Sequence, residues 1–311
     1  MPRVSVIVPN FNYRNCLDRR IKSILAQTYN DYEIILLDDC STDGSAEVIE
    51  LYRDNPKVSS IVYNEENSGS AFRQWKKGID LANGELIWIA ESDDFCDPCF
   101  LAILVSAFDR DPNCVISFCR SETVIDERPT GKVHNMQKRM KNDFIMSGRN
   151  FCNKWQKHGN FIVNASSALI KKDCAKRVDT RYTTYKGAGD LLFWFDAALQ
   201  GNVHFFCKPM NKYSLHPDSQ TAELSGKKQN FEESLKIRKI FHKEGFLNNW
   251  EYYKFKGYLC YYIKNSRILS AEEKRALFSD AGYNPTIGLY VAAKTVTRTL
   301  HRLLTFNKSK A

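Results

Sequence analysis

No stretch of this chain reaches the about eighteen uncharged apolar residues that a membrane-spanning helix needs, so an integral membrane protein is not expected. The first strand pattern begins at Val4 and leaves no length for a secretory leader, which makes a cytoplasmic location the expectation. The first turn, "PNFNYRNCL", has no G-x-G-x-x-G and the P-loop pattern is missing as well, which argues against the usual dinucleotide and nucleoside-triphosphate folds. Cys96 and Cys99 form a CDPC with no second Cys or His pair to complete a zinc site. The 10 cysteines are scattered through apolar runs such as "VISFC" and "GYLCYYI", a pattern of buried reduced thiols rather than of a disulfide scaffold. Basic residues are joined neither to an aromatic strand motif nor to a recognition helix, which leaves nucleic-acid binding without support.

What is present is an ordinary globular composition, 43% hydrophobic and 26% charged, with a formal net charge of +9. Such an excess favours a phosphate-bearing ligand, nucleic acid or an anionic membrane, without choosing among them. Short apolar runs at 4–9, 33–37 and 86–90, with a weaker one at 58–64, alternate with helical patterns such as Leu17, Ile21, Ile24 and Leu25. Alternation of this kind predicts an α/β fold with a mostly parallel central sheet flanked by helices. A further strand is expected in "CVISFCRSETVI", a polar excursion from Asp126 to Arg149, a strand in "FIVNASSALIKKD", a helix in "DLLFWFDAAL" and strands in "NVHFFCKPMNKYSLH". Past Glu223 strand signals end and aromatic, basic helices begin. A domain of residues 1–222 followed by a helical C-terminal region, 223–311, is the expectation.

Ligands of a parallel sheet sit beyond the carboxyl ends of its strands. Three polar clusters fall there: "PNFN" at 9–12, "DDCSTDGS" at 38–45 and "ESDD" at 91–94. Asp43, Gly44 and Ser45 are equally well explained as a turn and helix cap. The acids of "ESDD" exceed what a cap requires, and like charges this close call for a cation. Mg²⁺ or Mn²⁺ takes few oxygen ligands from protein and keeps substrate phosphates in its shell, so metal plus diphosphate is the expected ligand. "NSGSAFRQWKKG", at 67–78, adds close backbone approach and the cations Arg73, Lys76 and Lys77, which also fit a solvated helix face.

With these clusters in this order, the sequence resembles family 2 of the glycosyltransferases, which use nucleotide-sugar donors on the GT-A fold. The resemblance covers about residues 2–220. It rests on "VSVIVPNFNYRNCLDRRIKSILAQTYNDYEIILLDDCSTDGS" and "NEENSGSAFRQWKKGIDLANGELIWIAESDD", with weaker matches in "GAGDLLFW" and "YSLHPDSQT". It implies that Pro9, Phe11 and Asn12 line the base and ribose, and that Asp39 accepts from a uracil imide. Asn67, Gly69 and either Arg73 or Lys76 would serve the donor, and Glu91 the ribose. Asp93 would hold the metal, with Asp94 beside it and His216 near metal and diphosphate, while Asp190 would be the catalytic base. Departures from the family pattern are Glu91 where Asp is common, Gly189 ahead of Asp190 where a second acid is common, "RQWKKG" after the glycines, and Ser214 after Tyr213.

The implied reaction is inverting transfer of a hexosyl or N-acetylhexosaminyl group, from a UDP-linked sugar in the first instance, to a glycan or lipid-linked acceptor of a surface polysaccharide. A nucleotidyltransferase acting on sugar phosphates and a non-catalytic nucleotide-sugar or glycan-binding protein are the alternatives. In the tail, Leu289, Ala293, Val296, Leu300 and Leu303 form one stripe, with Lys294, Arg298 and Arg302 on another face. This pattern fits a docked final helix or a helix at 286–304 lying on an anionic membrane surface.

Overall fold

The computed structural model describes residues 1–125, 128–216, 224, 226–290 and 293, so most of the tail stripe and the expected surface helix at 286–304 lie outside the described residues. The chain divides into two compact units, Met1–Ser219 and Gln220–Ala311.

The first unit opens with β1 (Val4–Asn10), α1 (Arg14–Leu25), β2 (Tyr32–Asp38), α2 (Ser45–Glu50), β3 (Val58–Tyr63), α3 (Ala71–Leu81) and β4 (Leu86–Ile89). β1, β2 and β4 are buried along their whole length, as strands covered by helices on both faces must be. It continues through β5 (Phe95–Cys96), α4 (Phe100–Arg110), β6 (Cys114–Ile125), β7 (Arg128–Val133), β8 (Phe144–Ser147) and α5 (Gly148–Lys154). β9 (Ala168–Lys171), α6 (Lys172–Arg177), α7 (Gly189–Ala198) and β10 (Asn202–Ser214) complete it.

Ten strands form one sheet in the order β3-β2-β1-β4-β9-β6-β10-β5, with β7 on β6 and β8 on β10. β3, β2, β1 and β4 run parallel. β9 runs antiparallel to both β4 and β6, so the far half of the sheet is mixed. Strand order reverses at β1, between β2 and β4, which opens the crevice where a doubly wound sheet takes its ligand.

Residues 128–149 are not the expected excursion. β7 pairs with the long β6, β8 pairs with β10, and a 3-10 turn at Asn135–Arg139 joins them. β7 is an edge strand with no buried residue, and so carries no apolar alternation for sequence reading to detect. Conversely, Phe161 and Ile162 are buried without belonging to a strand, and β9 starts only at Ala168.

In the second unit, α8 (Lys228–Lys243), α9 (Asn249–Asn265) and α10 (Ala271–Asp280) enclose a core that includes Leu259, Ile263 and Leu277. Asn248 with Glu251 and Ser270 with Glu273 form complete capping boxes that start α9 and α10. No helix among the described residues is long and apolar enough to cross a membrane.

Asp94 joins distant parts of the first unit. It is 0% exposed, and one oxygen accepts from the Ser214 amide at 2.9 Å while the other accepts from the Asn164 side chain. Asn164 in turn accepts from Asn211, so the end of β10 and the loop before β9 are fastened to the turn after β4. D94A strands buried donors, and we expect a stability loss of about 2–4 kcal/mol, relief of repulsion with Asp93 setting the lower end. Urea unfolding checks this, and a loss near zero would show that the clamp contributes nothing.

Candidate active site

β1 and β2 end side by side, and their loops are laced together. Asp38 accepts from Asn10 Nδ2 at 2.8 Å and from the Ser41 amide at 2.9 Å. Asn12 sits at φ 59°, a left-handed conformation that Asn tolerates, and its Oδ1 accepts from the Thr42 amide at 2.8 Å. Pro9 is buried and its carbonyl accepts from Ser92 Oγ at 2.7 Å, which ties β1 to the turn after β4. Phe11 stands at the rim, 43% exposed.

Asp39 is buried and gathers the loop ahead of α3. Its Oδ1 accepts from Asn64 Nδ2, the Ser68 amide and Gln74 Nε2, at 2.6, 2.9 and 2.8 Å, and its Oδ2 accepts from Ser68 Oγ at 2.7 Å. A carboxylate oxygen takes about two hydrogen bonds, so Oδ2 is the atom left to receive a ligand N–H. Asn67 serves the same loop, donating to the Asp39 carbonyl and accepting from the amide of Gly69, which lies at φ 72°. Asp43 turns out to be local structure: it accepts from Ser45 and from the Arg14 amide.

The acids after β4 go to three different environments. Glu91 Oε1 accepts from the Trp75 indole at 2.8 Å, and burial together with the charge of Asp93 pushes its carboxyl up to about 8. Asp94 is raised to about 7 by the same two causes in the same order. Asp93 is half-buried, with Oδ2 3.0 Å from His216 Nε2. The Tyr13 ring stands edge-on to His216 at 5.5 Å, and burial, then the charge of Asp93, raises its hydroxyl pKa. Arg19 donates to the Asp93 carbonyl at 3.1 Å, fixing the turn from the α1 side. Arg20 is fully buried, its guanidinium 4.8 Å from the Trp88 ring, and its charge lowers the pKa of both Glu91 and Asp94.

Of the three expected metal-side residues, Asp93 and His216 meet, while Asp94 is turned into the protein. Among the described residues, no group of three or more His, Cys, Asp or Glu is placed to hold an ion. The Asp93–His216 pair nevertheless fits one. Two adjacent ligands of an octahedral ion with bonds of about 2.1 Å lie about 3.0 Å apart, the spacing of Oδ2 and Nε2, and substrate oxygens and water suffice for the rest.

α3 and α7 form the other wall. Lys76 is paired with Asp80 and Lys77 with Asn64, whereas Arg73 is exposed near the Gly69 loop and donates to the Ser68 carbonyl at 2.9 Å. Trp75 packs against Phe193 and Trp194 of α7 at 5.6 and 6.5 Å between ring centres, so one indole connects Glu91 to the helix that begins with Asp190. Asp190 accepts from Asn160 Nδ2 and from the Leu191 amide, both at 2.6 Å. A side chain at Gly189 would put its Cβ 2.5 Å from the Tyr182 carbonyl, which is why no second acid stands there. Tyr13, Trp75, Asn160 and Asn164 escape the sequence reading, which meets Ser214 only as a departure from the family pattern. Arg20 alone left a signal, a charge on the Leu17–Ile21–Ile24 stripe.

Residues 5–178 match the model of the family described as Glycosyl transferase family 2. The chain is 36% identical over 95 residues to the GalNAc(5)-diNAcBac-PP-undecaprenol beta-1,3-glucosyltransferase of Campylobacter jejuni, 30% of each chain. The chain spans about a third of the length of such curated relatives. Among solved structures, S. aureus TarS 1-349 in complex with UDP-GlcNAc superimposes with a TM-score of 0.59 at 18% identity, over 89% of this chain and 71% of that one. The mannosyltransferase PcManGT of Pyrobaculum calidifontis, in complex with GDP-Man and Mn2+, gives 0.55 at 18% identity, over 95% and 86%. These likenesses show a GT-A-like fold. The family match carries more than half of the sequence, and the chain belongs to glycosyl transferase family 2.

Proposed function

We propose that the protein is an inverting, metal-dependent glycosyltransferase that moves a hexosyl or N-acetylhexosaminyl group from a UDP-linked sugar to a hydroxyl of a glycan or lipid-linked saccharide in surface-polysaccharide synthesis, at the cytoplasmic face of a membrane. The observation that carries this reading is the Asp93–His216 pair at 3.0 Å, just beyond β4 and beside the point where strand order reverses. Supporting it are the Campylobacter relative, whose name includes a lipid pyrophosphate, and the TarS complex with UDP-GlcNAc.

In this reading Pro9, Phe11 and Asn12 shape the nucleoside side, Asp39 Oδ2 receives the uracil imide, and Glu91 meets the ribose while Trp75 holds its other face. Arg73 takes the diphosphate in preference to Lys76, whose ammonium is paired with Asp80. Asp93 and His216 would hold Mn²⁺ or Mg²⁺, which when bound offsets charge on the departing diphosphate; Asp94 keeps their turn in place. Asp190 takes the proton of the acceptor hydroxyl as its oxygen bonds to the anomeric carbon and the bond to the diphosphate breaks. Ahead of the reaction, Asn160 orients that carboxylate.

Three outcomes follow. Among the described residues the Asp93 carboxylate is hydrogen-bonded to His216, so D93A should unfold like the parent while kcat/KM falls about a thousandfold, several kcal/mol of lost leaving-group stabilisation. Near-normal transfer with Mn²⁺ or Mg²⁺ would remove Asp93 from the site. D190N preserves shape but not basicity, and we expect kcat to fall by about 10²- to 10⁴-fold with donor Kd unchanged. Transfer at the parental rate would make Asp190 a helix cap. Calorimetry should find UDP bound at least about tenfold more tightly than GDP, since the one acceptor atom left at Asp39 matches the single imide N–H of uracil and not the paired N1–H and N2–H donors of guanine. Equal affinities would overturn the uracil assignment.

A further inference from the structure

The formal charge of the chain is not spread over it. Residues 220–311 contain 17 Lys and Arg against 8 Asp and Glu, which accounts for the whole +9, whereas residues 1–219 contain 28 of each. Within the basic unit, α9 buries Gly257, Leu259, Cys260, Tyr261 and Ile263. Among its exposed side chains, Trp250, Lys254, Tyr258 and Tyr262 follow one another at intervals of four, a ridge along the helix. Trp250, Tyr258 and Tyr262 are 59%, 39% and 53% exposed.

Scattered exposed aromatics need no explanation, but a row of them does. Lys254 places its ammonium 5.0 Å from the centre of the Trp250 ring, and the Tyr253 ring stacks on Trp250 at 5.7 Å. Lys264 in the last turn of the same helix and Arg267 just beyond it are exposed. Glu251, next to Trp250 in the chain, is committed to the cap of α9 through the Asn248 amide. The ridge continues through Tyr258 to Tyr290, with ring centres 5.9 Å apart, and beside Tyr290 Leu289 is 71% exposed. After Asp280 the sequence holds no further acid and adds Lys294, Arg298, Arg302, Lys308 and Lys310.

We infer that the Trp250–Lys254–Tyr258–Tyr262 ridge of α9 is a docking face for an anionic phospholipid bilayer. Indole and phenol rings with one apolar and one polar end settle at the headgroup level, and lysine stems extend their charge to acidic headgroups. Charge complementarity selects the bilayer over a second copy of a surface that is itself basic. Docking involves none of the residues placed in the transfer reaction and does not depend on it.

The test uses the full chain, vesicles of phosphatidylcholine with or without phosphatidylglycerol, and no sugar donor. Expected are co-sedimentation with the phosphatidylglycerol vesicles alone, release by salt, and quenching of tryptophan fluorescence by brominated lipid that disappears in W250F. W250A/Y262A and, separately, K254E should each weaken partitioning by about tenfold or more, with circular dichroism and melting unchanged. Absence of binding to phosphatidylglycerol vesicles overturns the inference, as does unchanged binding by W250A/Y262A, which would move any lipid contact to the tail. Loss of self-association in W250A/Y262A without lipid would assign the ridge to a second copy instead. Turnover is not read, so an error in the proposed reaction leaves these outcomes intact.

Discussion

Three carboxylates within four residues, placed where a fully buried strand leaves the sheet, set the terms for the rest of the first unit. Ionised together in a poorly hydrated turn they would repel one another, and a fold can contain them only by sending each to a different partner. Glu91 goes to an indole, Asp94 to the end of β10 and to Asn164, and Asp93 to a histidine across the opening. A buried guanidinium, Arg20, stands behind the group from α1. The same divergence that makes the turn tolerable separates a fully buried structural acid from a half-buried one, and the half-buried one is left with geometry suited to a cation.

Each partner also brings an element with it. Ser214 and His216 flank the end of β10, so the late strand is fixed against a turn that precedes it by about 120 residues; Trp75 brings α3 and, through Phe193 and Trp194, α7. Asp39 does the same for the other side of the crevice, converting the Asn64–Ser70 loop into a wall of defined shape. The site is therefore assembled by side chains whose hydrogen bonds are mostly spent on one another. The groups to which the proposed reading brings a ligand are few: one oxygen of Asp39, the Glu91 and Asp190 carboxylates, the Asp93–His216 pair, and the exposed guanidinium of Arg73.

This distribution explains what could be read from residue order. Continuous apolar runs ending in polar clusters place Asp39, Glu91 and Asp93 on one edge because strand direction alone determines which end carries the loops. The division of labour between Asp93 and Asp94 is invisible at that level, since adjacent residues of one type look alike until Ser214 and Asn164 are seen to take one of them. Lys76 and Arg73 differ for a similar reason: an acid four residues after the lysine, Asp80, occupies its ammonium on the helix surface. β7 and β8 were hidden because an edge strand draws its stability from the ladder offered by β6 or β10, not from its own pattern.

Net charge is the clearest case of a quantity whose meaning changes once it is located. A total of +9 suggests a basic surface for a phosphate-bearing donor, yet the unit that contains the site has equal numbers of acidic and basic residues. Long-range attraction between a neutral unit and a nucleoside diphosphate is weak, so the proposed reading rests on short-range contacts: an imide at Asp39, a ribose at Glu91, a cation between Asp93 and His216. The basic excess belongs to the helical unit, where exposed aromatic rings share a helix face with lysine. The two proposals, electrostatic attraction to a bilayer and recognition of a donor, thus draw on different parts of the chain, and a substitution that alters one need not disturb the other.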